Sequence, residues 1–234
     1  MSGTLPPEEY WVNVIGLPED RLVYLDLTQE LPEWSHFNIF IDTSVTTKYT
    51  ERSSQTYDKY ATIIREIYKR ARKHCLVLVP NHEIARELGA RLQDLEPLIE
   101  DVNVKEVGKA EEILMNSDRK RILIIIAYGK FNEGIEFLKA NKSLISDVII
   151  VGVPYPKQTD YLREVIKCIC NSSDFTESDY LMILAAIQIR QCMGRARRNL
   201  YDTVNVWLLD RRFADKDKWY KLLDITKEVK EMSL

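Results

Sequence analysis

The densest chemistry in the chain lies in Gln191-Cys-Met-Gly-Arg-Ala-Arg-Arg198. Gln191, Gly194, Arg195 and Arg198 stand at offsets 0, 3, 4 and 7, which share one face if the stretch is helical. Two guanidiniums beside a glycine offer planar, forked donors next to an open approach. That arrangement suits a polyphosphate better than a buried core. A second concentration is Tyr128-Gly-Lys-Phe-Asn-Glu-Gly-Ile-Glu-Phe137, with two glycines, a lysine and two carboxylates directly after an intensely apolar run. A third, Lys48-Tyr-Thr-Glu-Arg52, pairs an aromatic with two cations, the combination that stacks a base while tracking a phosphate backbone. Arg212 is a further candidate of the same kind.

Composition narrows the setting. The formal charge is −3, so a nucleic-acid site must be local. Arg190 to Arg212 supplies one, with six Arg against Asp202 and Asp210, a local balance of +4. Cys75, Cys168, Cys170 and Cys192 have no paired C-x-x-C spacing, so no metal ligand is assigned. The longest apolar run, Ile122–Ala127, is far too short to cross a bilayer, and a reduced, intracellular setting is expected. There is no G-x-x-x-x-G-K-[ST] and no acidic pair of the D-E-x-H or D-E-x-D kind to hold Mg²⁺. The arginines therefore read as half of a nucleotide site, completed by another domain.

The elements that must position these residues alternate strand and helix. Arg21–Leu27 and Phe37–Val45 read as strands, and the apolar spacing of Tyr57 to Ala71 as an amphipathic helix. Cys75–Pro80 and Arg121–Ala127 are continuous apolar strands of the kind buried on both faces of a parallel sheet. Asn81 caps the next helix. Val102–Val107 reads as a strand, Lys109–Met115 as a short helix, Asp147–Val153 as a strand and Gln158–Asn171 as a helix. Thr176-Glu-Ser-Asp179 is a capping box opening the helix that carries Gln191. Strand Thr203–Leu209 and a last amphipathic helix from about Lys216 to Met232 complete the series. The fold expected is a three-layer α/β domain, a mostly parallel sheet with helices on both faces, built as one unit over residues 1–234. Ligands of such sheets sit at the carboxyl ends of the strands.

Five motifs in this order, Ser2-Gly-Thr-Leu-Pro6, Gly129-Lys-x-x-Glu-Gly-Ile-x-Phe137, Gly152-Val-Pro-Tyr155, Gln191-Cys-x-Gly-Arg-Ala-x-Arg198 and Asp210-Arg-Arg-Phe213, resemble the XPD family of superfamily 2 DNA helicases. The resemblance implies the second of two RecA-like motor domains of a 5′-to-3′ ATP-dependent DNA helicase, a fragment of a longer chain and inactive alone. It implies ATP and Mg²⁺ shared with a first RecA-like domain, and an iron–sulfur cluster in the parent but not in this chain. By the same carry-over Gln191, Arg195 and Arg198 face the ATP phosphates, with Arg198 the expected finger. Gly129, Glu133, Gly134, Glu136 and Gly194 lie on the nucleotide side, and Glu133 and Gly134 belong to the motif that couples nucleotide to DNA. Lys48, Tyr49, Arg52 and Arg212 meet single-stranded DNA. Three positions depart from the family: Glu136 where Asp is usual, Asn132 where Ser is common, and Tyr128 where Arg often precedes the glycine. The competing expectation is a RecA-like module that binds nucleic acid or docks protein without serving a motor. The setting is cytoplasmic for a prokaryotic chain and nuclear for a eukaryotic one.

Overall fold

The computed structural model describes residues 5–25, 37–132, 137–139, 142–173, 175–197, 202–223, 225 and 230–231. In chain order the elements are α1 (Glu8–Asn13), β1 (Asn38–Asp42), α2 (Ser54–Arg70), β2 (His74–Val79), α3 (His82–Arg91), β3 (Leu98–Ile99), α4 (Val107–Met115), β4 (Ile122–Ile126), β5 (Leu138–Lys139), β6 (Lys142–Ser143), β7 (Ile145–Val151), α5 (Asp160–Ser172), α6 (Glu177–Ala196), β8 (Asn205–Leu209), α7 (Lys216–Leu222) and β9 (Lys230–Glu231). Seven strands form one sheet in the order β3-β4-β2-β7-β8-β1-β9, and every pairing in it is parallel. A small antiparallel hairpin, β5-β6, stands apart.

The apolar strands explain the layering. Every residue of β2, β4 and β7 is buried, because alternate side chains enter cores on opposite faces of the sheet. Cys75, Val77, Ile122, Ile124, Ile149 and Trp207 meet Tyr60, Ile64, Ile84 and Leu88 of α2 and α3. Leu76, Leu78, Leu123, Ile125, Ile150 and Leu208 meet Leu114 of α4, Met182, Ile189 and Cys192 of α6, and Trp219 of α7. This is the three-layer RecA-like arrangement the sequence led us to expect. The capping box is also present: Asp179 N–H donates to Thr176 Oγ1 at 3.2 Å and Thr176 N–H to Asp179 Oδ2 at 3.2 Å. No helix among the described residues is long and apolar enough to cross a membrane.

Three expected elements differ. The strand expected at Arg21–Leu27 is not formed over its described part. Pro18 leads into a 3-10 turn at Glu19–Arg21, and Val23, 92% exposed, alternates with its neighbours without any sheet to bury it. The strand expected at Val102–Val107 is displaced upstream to β3. Asp101 turns the chain at φ 59°, and the amides of Val102, Asn103 and Val104 all donate back to Ile99 O. The long C-terminal helix stops at Leu222, and β9 returns to pair with β1, with Phe40 opposite Lys230 and Ile41 opposite Glu231. Pairing there covers what would otherwise be an open edge of β1.

Candidate functional site

Two polar clusters gather the residues singled out by sequence. The first lies past the carboxyl ends of β1, β7 and β8 and is built on Asp210, which is fully buried. Its Oδ1 accepts from Arg212 Nε at 2.8 Å and from Arg212 N–H at 3.0 Å. Its Oδ2 accepts from Arg212 Nη2 and from Thr47 N–H, both at 2.8 Å, and the Thr46 hydroxyl lies 3.2 Å from each oxygen. Burial penalises the Asp210 charge, yet the Arg212 guanidinium and these N–H groups outweigh it and hold the carboxyl below its ordinary range. Burial likewise weighs against the Arg212 charge, and its bond to Asp210 raises its pKa nonetheless.

Thr47 is the hinge between this pair and the exposed loop. Its hydroxyl accepts from Arg212 Nη2 at 2.8 Å, and its carbonyl accepts from Arg52 Nε at 2.8 Å. Arg52 in turn lies 5.6 Å from the Tyr49 ring centroid, and Arg212 lies 5.6 Å from that of Tyr155. Lys48 is exposed and Tyr49 is 82% exposed. The structure therefore brings Lys48, Tyr49, Arg52 and Arg212 into one connected patch, while Arg52 also pairs with Glu83 at 3.6 Å. Gly152 permits the approach: φ is +74°, and a Cβ there would stand 2.0 Å from Thr47 Oγ1. Gly152→Ala adds a left-handed strain to a clash, together about 2–4 kcal/mol. A melting temperature lower by roughly 5–15 °C is expected, read by circular dichroism.

The second cluster joins α6 to the loop after β4. Arg195, half-buried, donates from Nη2 to Asn132 O at 3.1 Å. Gln191 is half-buried one turn upstream, and a Cβ on Gly194 would meet nothing within 4 Å, so packing does not require that glycine. Among the described residues of the loop the left-handed one is Tyr128, at φ 61°, and not Gly129. Gly129 is demanded by crowding, since a Cβ there would stand 2.6 Å from Glu100 Oε1. Glu100 is buried and accepts from Ile126 N–H at 2.8 Å and Phe131 N–H at 3.1 Å. Burial raises its pKa against those bonds.

The helix carrying Gln191 and Arg195 is shorter than their spacing with Arg198 requires. α6 ends at Ala196 and Arg197 is extended (φ −121°, ψ 119°), so a shared helical face cannot be carried on to Arg198. Arg198, Glu133, Gly134 and Glu136 lie outside the described residues, as do Ser2, Gly3 and Thr4. Sequence reading also missed Thr47, Glu100 and Gln188. The one available signal was Gly152, whose bare backbone marks a close approach without naming the partner.

The profile of the helicase C-terminal domain family matches residues 64–229. The chain belongs to that family. Among relatives of this helicase C-terminal domain, the ATP-dependent DNA helicase XPD of Sulfolobus acidocaldarius is 36% identical over 91% of the chain and 38% of its own length. A solved structure of XPD helicase superposes with a TM-score of 0.82 at 33% identity, over 99% of this chain and 42% of that one. A structure of apo XPD gives 0.83 at 33% identity, over 99% and 48%. The chain thus spans less than half the length of each of these relatives. The XPD resemblance read from the five motifs is borne out.

Proposed function

We propose that this chain is the second motor domain of an XPD-like ATP-dependent DNA helicase, lending arginines to an ATP site shared with a first motor domain and a surface to single-stranded DNA. The observation that carries the reading is the setting of Arg195: a half-buried guanidinium, held by Asn132 O, beside an open position at Gly194. That geometry fits a phosphate approaching α6, and a planar donor in such a place stabilises charge on a transferring phosphoryl group. ATP, when bound, supplies the phosphoryl group whose transfer drives the motor. This chain's part is to orient Gln191 and Arg195 toward it, with Arg198 assigned to the same side by the family spacing alone.

The described residues do not offer a metal set. Among them no group of three or more His, Cys, Asp or Glu stands together, and this reading assigns Mg²⁺ to the first motor domain. Nor do they fit an iron–sulfur cluster, since Cys75 and Cys192 are buried on opposite faces of the sheet.

On the DNA side, the exposed Tyr49 ring offers a stacking platform and Lys48, Arg52 and Arg212 offer phosphate charge. Losing a stacked base costs about 1–3 kcal/mol, so Tyr49→Ala should weaken binding roughly tenfold or somewhat more. Lys48→Ala should instead flatten the salt dependence by about one counterion. Fluorescence anisotropy with a short oligonucleotide at two salt concentrations tests both. Unchanged affinity and unchanged salt slope in the two variants would move the DNA path elsewhere.

A further inference from the structure

We infer that Gln188 is a positioning residue that ties the loop after β4 to the phosphate-facing helix α6, so that a shift in either is transmitted to the other. The inference rests on the motor-domain reading. Gln188 has no part in the Gln191-to-Arg198 spacing and stands one helical turn before it. It is 6% exposed, and both ends of its carboxamide are engaged. Oε1 accepts from Tyr128 N–H at 2.9 Å and from Asn132 Nδ2 at 2.9 Å. Nε2 donates to Gln191 Oε1 at 3.3 Å, and the Gln188 carbonyl takes a longer contact from Asn132 Nδ2 at 3.3 Å.

The groups it joins are those that would have to move together. Tyr128 holds the loop in a left-handed conformation that a residue with a side chain rarely adopts, and the bond from its N–H to Gln188 helps keep it there. On the other side the loop is fixed by Glu100 through Ile126 and Phe131, and among its described residues the hydrogen bonds to α6 are made by Tyr128 and Asn132. Asn132 is gripped twice: its side chain by Gln188 and its carbonyl by Arg195. Gln191 and Arg195 are therefore each one hydrogen bond from the Gln188–Asn132 pair. That pair is buried, where a partly satisfied polar network responds strongly to the loss of one member. Asn132 Oδ1 is buried and accepts no hydrogen bond among the described residues. The Asn132 carboxamide is thus engaged through Nδ2 and not through Oδ1, which leaves this side chain the member able to re-pair when the helix shifts.

Two variants cut the tie at different atoms. Gln188→Glu keeps acceptors for Tyr128 and Asn132 but cannot donate to Gln191. Asn132→Ala keeps the bonds of Gln188 to Tyr128 and Gln191 but releases the loop side chain, without placing a new charge in the interior. The experiment measures ATP turnover of the helicase carrying both motor domains, with and without single-stranded DNA, alongside DNA affinity and thermal melting. The expected result is a fall of about tenfold in the ratio of DNA-stimulated to basal turnover in both variants, with basal turnover falling less than threefold. Normal stimulation in the unmodified protein and in both variants would overturn the role of Gln188 alone. An equal fall in basal and stimulated turnover would mark Gln188 as merely structural and overturn it too. An unmodified protein with no stimulation by DNA would sink the motor-domain reading, and the role of Gln188 with it.

Discussion

In the helicase carrying both motor domains, Arg195→Ala is expected to lower DNA-stimulated ATP turnover by about 10³-fold or more, with DNA affinity within about twofold of the unmodified protein. An arginine supplied to a transferring phosphoryl group is worth about 10³–10⁵ in rate once the nucleotide is held by other groups. Arg195 is poised for that role because its backbone is fixed in α6 and its guanidinium is steered by Asn132 O. Arg195→Lys should recover little, since a point charge cannot reproduce a planar fork. Arg198→Ala is expected to act in the same direction on the family spacing. Single-turnover phosphate release separates the possibilities. A turnover within tenfold of normal in Arg195→Ala would remove Arg195 from the phosphate site.

Asp210→Ala is expected to have the largest effect on stability. The carboxylate is fully buried, and its loss would leave Thr47 N–H and the Thr46 hydroxyl without this acceptor and the Arg212 guanidinium without its counter-charge. Breaking one partner of such a pair costs about 3–5 kcal/mol. For a domain of this size that is a melting temperature lower by roughly 6–20 °C. The pH dependence has a definite sign. Asp210 titrates below its ordinary value in the folded state, so its contribution is fully present above the unfolded carboxylate pKa of about 4 and is lost as pH falls through the lower folded value. Thermal melts from pH 7 to pH 3 should therefore show the gap between the unmodified domain and Asp210→Ala closing only below about pH 4. A gap of constant size across that range would mean that the Asp210–Arg212 pair is not what stabilises the loop. The same variant should weaken DNA binding, because Thr47 and Arg52 lose their anchor.

How much of this was legible beforehand depended on the range of the interaction. β2, β4 and β7 announce themselves because strands buried on both faces must be apolar throughout, and α6 does so because a capping box is a local code. The two clusters were legible as residue types: arginines near a glycine, and an aromatic among cations. Their wiring was not. Asp210 reads in sequence as an acid beside two arginines, whereas its partners Thr46 and Thr47 lie 164 and 163 residues away. Gln188 reads as one more helix former until Asn132, 56 residues distant, is placed against it. The errors are local ones of period. Val102 and Val104 alternate like a strand, but Asp101 has already turned the chain. The C-terminal stretch keeps a helical period past Leu222, and the exposed edge of β1 claims it instead. The helical face shared by Gln191, Gly194 and Arg195 does not reach Arg198, because α6 stops two residues earlier.

On the function proposed above, this domain holds the arginine half of an ATP site and needs a first motor domain to complete it. Phosphate release in the presence of single-stranded DNA tests it most directly, comparing the chain alone with the chain joined to a first motor domain. No release above a heat-treated control is expected from the chain alone, and the joined protein should show DNA-stimulated turnover that Arg195→Ala abolishes. DNA-stimulated release by the chain alone would contradict it.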